Sequence, residues 1–186
     1  MEKNSTKNLV LTLTIIGIIS ALILTFVYEW TTPYIQANQA EQQKQAINEV
    51  LPGVDEVKEV EKDAKTFYEG YNSEGNRIGI AYQTSGGGYN GPIEIMVGVN
   101  LDQNEIYRFS VLTHEETPGL GARITEAEFK SNFENKSFGD YKVVKTPPSE
   151  ENEVQAVAGA TISSESATRI IEGAVNTITE AYGGGN

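Results

Sequence analysis

The chain has 186 residues, room for one membrane anchor and one domain large enough to bury a core without disulfides. With no cysteine and one histidine, His114, it excludes disulfides, lipidated cysteine, thiolate zinc, cysteine-ligated iron–sulfur centres and a cysteine nucleophile, and argues against a histidine-rich metal or haem site. The 14 basic and 26 acidic residues leave a net charge of −12, which disfavours nucleic acid and anionic membrane as partners, although a hydrated acidic surface accounts for it equally.

Leu9 to Tyr28 carries no charged residue. At ~1.5 Å per residue it spans ~30 Å, the thickness of a bilayer core, and so reads as a transmembrane helix surrounded by lipid. Lys3 and Lys7 precede it, and the next basic residue is Lys44. The positive-inside rule puts residues 1–8 in the cytoplasm and everything beyond the span across the membrane. Tyr28, Trp30 and Tyr34 suit the far headgroup layer. A cleaved signal peptide is the competing reading, but its apolar core is ~7–15 residues and Tyr28-Glu29-Trp30 is a poor cleavage site. A buried core helix is a third reading.

Pro33 suits a helix start, Tyr34 to Val50 is rich in Gln, Ala and Glu, and Leu51-Pro52-Gly53 is a stop. Residues 29–53 are therefore expected to form a connecting helix and residues 54–186 the domain. Strands are expected at Thr66 to Tyr71, Arg77 to Gln83, Ile93 to Asn100, Ile106 to Leu112 and Tyr141 to Lys145. Turns are expected at Ser73 to Asn76 and Asp102 to Glu105. Glu126 to Phe133 reads as a short helix. Ser163 to Tyr182 reads as a longer one, with Ile170, Ile171, Ala174, Val175 and Ile178 on one face and Gly183 to Gly185 as its stop. Strands followed by helices predict an α+β domain with a mostly antiparallel sheet and flanking helices.

Three segments have the composition of a binding site. Gly159-Ala160-Thr161-Ile162-Ser163-Ser164 offers two small residues for close approach and a hydroxyl at a helix N-terminus, where free N–H groups favour a phosphate. Ser163 and Ser164 are candidate N-caps, and plain capping explains the segment as well. Thr113 to Gly121 follows a strand that Pro118 cannot continue, and exposes Leu120 and backbone N–H groups in a way that suits a flat aromatic ligand. An ordinary structured loop fits it too. Gly86 to Pro92, with Tyr89 inside it, is a glycine-rich turn without the Gly-Lys-Ser/Thr and helix of a phosphate loop. His114, Glu115 and Glu116 make a poor metal set, so no metal site is expected. Nothing resembles a nucleophile, base and orienting acid, so no catalytic residue is assigned.

Together, Gly88-Tyr89-Asn90-Gly91-Pro92-Ile93, Glu116-Thr117-Pro118-Gly119-Leu120-Gly121 and Ala158-Gly159-Ala160-Thr161 resemble the FMN-binding domain shared by the G subunit of the Rnf electron-transport complex and the C subunit of the sodium-pumping NADH:quinone reductase. The motifs occur in the family's order behind a single anchor, and the chain is short for the quinone-reductase subunit, which makes the Rnf G subunit the nearer resemblance. It implies FMN carried covalently by a phosphoester on Thr161 and installed by a flavin transferase. Gly159, Ala160, Ser163, Glu116, Thr117, Gly119, Leu120 and Tyr89 are the expected surroundings. A solvated carboxylate is the other reading of Glu116. The family motif commonly has an acidic residue six before the threonine and Ser or Thr three before it; here those places hold Gln155 and Ala158. The implied function is an electron-transfer subunit, not a self-contained enzyme, of a membrane-bound, ion-translocating, ferredoxin- and NAD-linked complex with other membrane subunits as partners. A stand-alone surface flavoprotein that reduces external acceptors is the alternative.

Overall fold

The computed structural model describes residues 2–183. Two compact units make up the chain, Met1–Gln42 and Gln43–Asn186. Helix α1 (Glu2–Val50) begins in the first and ends in the second. In the first unit the apolar side chains Leu9, Leu22, Leu24 and Phe26 are 61%, 65%, 70% and 68% exposed. Thr12, Thr14 and Thr25 donate their hydroxyls to the carbonyls of Asn8, Val10 and Ala21 at 2.8, 2.9 and 3.0 Å. That internal pairing is what a hydrocarbon environment demands of a hydroxyl. The helix is long and apolar enough to cross a membrane.

Pro33 lies inside α1 and does not open a new helix. It removes one helical bond, the one its nitrogen would give to the Glu29 carbonyl. On the turn before it, Thr31 and Thr32 return their hydroxyls to Val27 and Tyr28 at 2.9 and 2.7 Å. The connecting helix expected from residue 29 is thus continuous with the apolar one.

In the second unit β1 (Glu56–Lys62), β2 (Lys65–Tyr71), β3 (Arg77–Gly87), β4 (Pro92–Asn100), β5 (Glu105–His114) and β6 (Lys136–Ser137) pair in chain order as one antiparallel sheet. β7 (Lys142–Val144) and β8 (Glu153–Gln155) form a separate parallel pair. Along β4 the side chains alternate. Ile93, Ile95, Val97 and Val99 join the core that contains Ile170, Ile171, Ala174, Val175 and Ile178 of α3 (Thr161–Gly183). Met96 joins a second core with Ala46, Ile47, Val50 and Leu51. Both faces of the sheet are therefore covered, one by α3 and the other by the last turns of α1. At Gly98 a methyl group would lie 2.9 Å from Cβ of Val50, so only glycine lets that helix end rest on β4.

Several features depart from the expectation, the short strands β6 and β8 among them. β1 is an edge strand with a mostly exposed, charged sequence, and no apolar alternation announces it. Its turn to β2 has Asp63 and Ala64 at φ 50° and 59°, which needs none of the usual Asn-Gly chemistry. β3 runs on to Gly87, so the glycine-rich turn shrinks to Gly88–Gly91. Glu126 to Phe133 is not one helix. A 3₁₀ turn (Gly121–Thr125) precedes it, and it consists of a single α-turn α2 (Ala127–Lys130) and another 3₁₀ turn (Ser131–Phe133). There the buried rings of Phe129 and Phe133 both meet Phe109 edge-on, with centroids at 6.1 and 5.4 Å, and that cluster decides the path of the chain. α3 includes Gly183, and the remaining glycines of the expected stop lie outside the described residues.

Candidate functional site

Three turns of the second unit converge. In the hairpin turn between β3 and β4, Gly88 N–H donates to Gly91 O at 2.8 Å, which puts Tyr89 and Asn90 at the tip. After β5, Leu120 N–H donates to Thr117 O at 3.2 Å across Pro118 and Gly119. With proline second and glycine third at φ +73°, this is a type II turn. Before α3, Ala160 N–H donates to Val157 O at 2.9 Å, again with glycine third, Gly159 at φ +79°. A side chain at either glycine would be strained by that backbone.

Glu116 joins the three. Its side chain is only 4% exposed. Oε1 accepts the N–H groups of Tyr89 and Asn90 at 2.7 and 3.1 Å, and Oε2 accepts the Ser163 hydroxyl at 2.6 Å. Asn90 adds a bond from Nδ2 to the Glu115 carbonyl at 2.7 Å, and Glu116 N–H donates to His114 Nδ1 at 3.2 Å. Burial pushes the Glu116 carboxyl up. The bonds from Ser163, Asn90 and Tyr89, with a smaller contribution from His114, outweigh it and hold the group below the ordinary carboxylate value. The solvated reading of Glu116 is corrected: three donors on two other segments draw it inside. Gly88 and Gly121 both press on this carboxylate, and a Cβ at either would collide with one of its oxygens.

Ser163 and Ser164, expected as N-caps, lie inside α3 and cap nothing. Ser163, 2% exposed, serves Glu116. Ser164 accepts Val157 N–H at 2.9 Å and donates to Ala160 O at 3.0 Å, which pins the third turn to the helix it precedes.

Thr161 is the first residue of α3 and is half-buried. Among the described residues its hydroxyl has no protein hydrogen bond. It lines a cleft of about 340 Å³ together with Tyr89, Glu116, Leu120, Gly159 and Ile162. Tyr89, Leu120 and Ile162 are 66%, 46% and 52% exposed, so the mouth of the cleft is apolar and open. Thr117 and Gly119 are exposed on the loop beside it, and Ala160 is buried under the turn. Thr161 and Gly159 also border a second, larger cleft of about 920 Å³. Gln155 and Ala158 line that one, where Gln155 N–H donates to Asn132 Oδ1 at 3.0 Å. Among the described residues no cluster of three or more His, Cys, Asp or Glu could hold a metal.

The sequence reading missed the linking role of Glu116, the two glycines that clear space for it, the Asn90 clasp and Ile162. Gly88, next to the first contact segment, and Gly121, at the end of the glutamate's own loop, were the available signal.

The fold and this cleft define a class, the FMN-binding domain: residues 88–176 match that family, and residues 1–50 match the RnfG N-terminal region. The G subunit of the ion-translocating oxidoreductase complex of Methanosarcina acetivorans is 33% identical over 98% of this chain and 98% of its own length. The G subunit of the proton-translocating ferredoxin:NAD(+) oxidoreductase complex of Clostridium ljungdahlii is 33% identical over 98% and 97%. The chain belongs to the G-subunit family of ion-translocating oxidoreductase complexes. In fold it is similar to the C subunit of the Na(+)-translocating NADH-quinone reductase of Parabacteroides distasonis, with a TM-score of 0.62 at 20% identity over 82% of this chain and 97% of that one. NqrC of Shewanella oneidensis gives a TM-score of 0.52 at 21% identity, covering 64% of each chain.

Proposed function

We propose that this chain is the electron-transfer subunit of a membrane-bound, ion-translocating, ferredoxin- and NAD-linked oxidoreductase complex, and that it carries FMN through a phosphoester on Thr161. The observation that carries the reading is the unpartnered Thr161 hydroxyl beside the cleft that Glu116 holds together. The residues present fit the group. The first helical bond of α3 runs from Ser164 N to Ala160 O, which leaves the N–H groups before Ser164 available to a phosphate. Leu120, Ile162 and Tyr89 offer apolar surface to an aromatic ring, and Gly159 removes the side chain that would block it. When bound, FMN supplies the electron-carrying chemistry; the protein supplies position and electrostatics.

The partners on this reading are the other membrane subunits, a flavin transferase that installs the FMN, and lipid around Leu9 to Tyr28. Residues 1–8 are cytoplasmic, 9–28 span the membrane, 29–53 connect, and 54–186 hold FMN on the far side, as Lys3 and Lys7 direct. Protease added to intact spheroplasts digests the domain if this orientation is right and spares it if not.

The attachment is tested with full-length protein made alongside a flavin transferase, by intact mass and in-gel fluorescence. Thr161→Val loses the FMN mass while remaining folded, and Thr161→Ser keeps at least part of it. FMN mass retained by the Val variant overturns the assignment.

A further inference from the structure

Glu116 has more charge than its bonding requires. Two backbone N–H groups and one hydroxyl bind its oxygens. A neutral glutamine would also satisfy them, with its oxygen toward Tyr89 and Asn90 and its amide toward the Ser163 oxygen, which can accept. A buried carboxylate is normally accompanied by a cation, because burial of an unpaired charge is costly. No Lys or Arg side chain forms an ion pair with Glu116 among the described residues. The nearby titratable group, His114, presents Nδ1 as an acceptor to the Glu116 N–H and gives the carboxylate no hydrogen bond. Gly88 and Gly121 leave no room for side chains that would displace the carboxylate. The fold therefore keeps an anion that, among the described residues, no Lys or Arg pairs in the wall of the cleft that Thr161 borders.

We propose that Glu116 is a positioning and tuning residue of the flavin site, which joins the three turns and lowers the reduction potential of the flavin by its buried negative charge. The inference rests on the reading of Thr161 as the FMN carrier. Two-electron reduction of an FMN held there, with both electrons given up by the preceding carrier of the complex and one proton by water, would add one negative charge beside Glu116. A carboxylate buried as Glu116 is, 4% exposed, opposes that gain more strongly than an exposed one does, because less water screens it. Backbone N–H groups stabilise the carboxylate but bring no net charge to cancel it.

The test uses full-length, detergent-solubilised protein loaded with FMN by a flavin transferase. The midpoint potential is measured by spectral redox titration in wild type, Glu116→Gln and Glu115→Gln, the last removing an equal charge from the exposed neighbouring side chain. The expected result is a shift to more positive potential in E116Q, larger than that in E115Q. Equal or absent shifts overturn the proposal. If E116Q takes up no FMN, Ser163→Ala is titrated instead. It keeps the charge and removes one donor to it, so its potential moves negative; an unmoved or more positive value overturns the proposal. A wild-type Thr161 peptide without FMN mass overturns the covalent reading and this inference together, whereas an unshifted potential in loaded E116Q overturns the inference alone.

Discussion

The Ser163 hydroxyl donates to the Glu116 carboxylate at 2.6 Å, joining residues 47 apart in the chain. Both side chains are buried, at 2% and 4% exposure, so water does not replace the donor when it is removed. Ser163→Ala therefore destabilises by about 1.5–3 kcal/mol, the range for a buried hydrogen bond to a charged group. The effect depends on pH with a definite sign. The folded Glu116 carboxyl titrates below its ordinary value of 4.5, so its contribution is present above that value and is lost as pH falls through the lower folded one. Without the Ser163 donor the folded and unfolded values lie closer together. The stability gap between wild type and Ser163→Ala is thus widest near neutral pH and narrows on acidification below pH ~4. Urea denaturation of the detergent-solubilised protein across that range measures it; a gap independent of pH contradicts the arrangement.

The same pair shows what the sequence conveyed and what it withheld. Gly88 to Pro92, Glu116 to Gly121 and Gly159 to Thr161 were legible one by one, because proline and glycine at fixed offsets and small residues before a helix have local meanings. Their union was not legible. Burial of Glu116 depends on donors 26, 27 and 47 residues away, and nothing local distinguishes it from the exposed Glu115 beside it. Ser163 and Ser164 misled for the same reason: their hydroxyls answer to Glu116 and Val157 and not to their own helix end. The sheet followed its alternating apolar runs. β1 escaped because backbone pairing with β2 holds it with little burial, and the end of β3 escaped because its two glycines read as a loop.

Those glycines lead to the second prediction. A methyl group on Gly86 would meet Ile170 Cγ1 at 2.6 Å and Cδ1 at 3.0 Å, so α3 lies against β3 where the strand has no side chain. Gly86→Ala is expected to cost about 1–3 kcal/mol by overpacking. Ile170→Ala, at a position 7% exposed, is expected to cost about 2–5 kcal/mol through lost burial and a cavity. In the double variant the new methyl enters the space that Ile170 vacates, so the combined loss is smaller than the sum of the two. Denaturation midpoints of the three variants decide the matter, and strict additivity contradicts the contact.

The last prediction separates holding the fold from holding the ring. A methyl group on Gly159 would stand 3.2 Å from Leu120 Cδ2, so the second and third turns touch at this point. Gly159 has φ +79°, and alanine there costs about 1–2 kcal/mol from the backbone alone, with the crowding of Leu120 in addition. Leu120→Ala relieves the crowding but not the backbone, so adding it to Gly159→Ala recovers only part of the loss. On its own Leu120→Ala changes stability by less than ~0.5 kcal/mol, because the side chain is already 46% exposed. It nevertheless strips apolar surface from the cleft beside Thr161, where a buried leucine contact with a ring would contribute about 1.5–3 kcal/mol. The expected outcome in loaded protein is FMN still attached to Thr161, with altered flavin absorbance and fluorescence. A stability loss of the size seen for a core leucine would show that Leu120 serves packing. Unchanged flavin spectra would remove the loop from Thr117 to Gly121 from the ring's surroundings and leave Thr161 and its turn as the whole of the site.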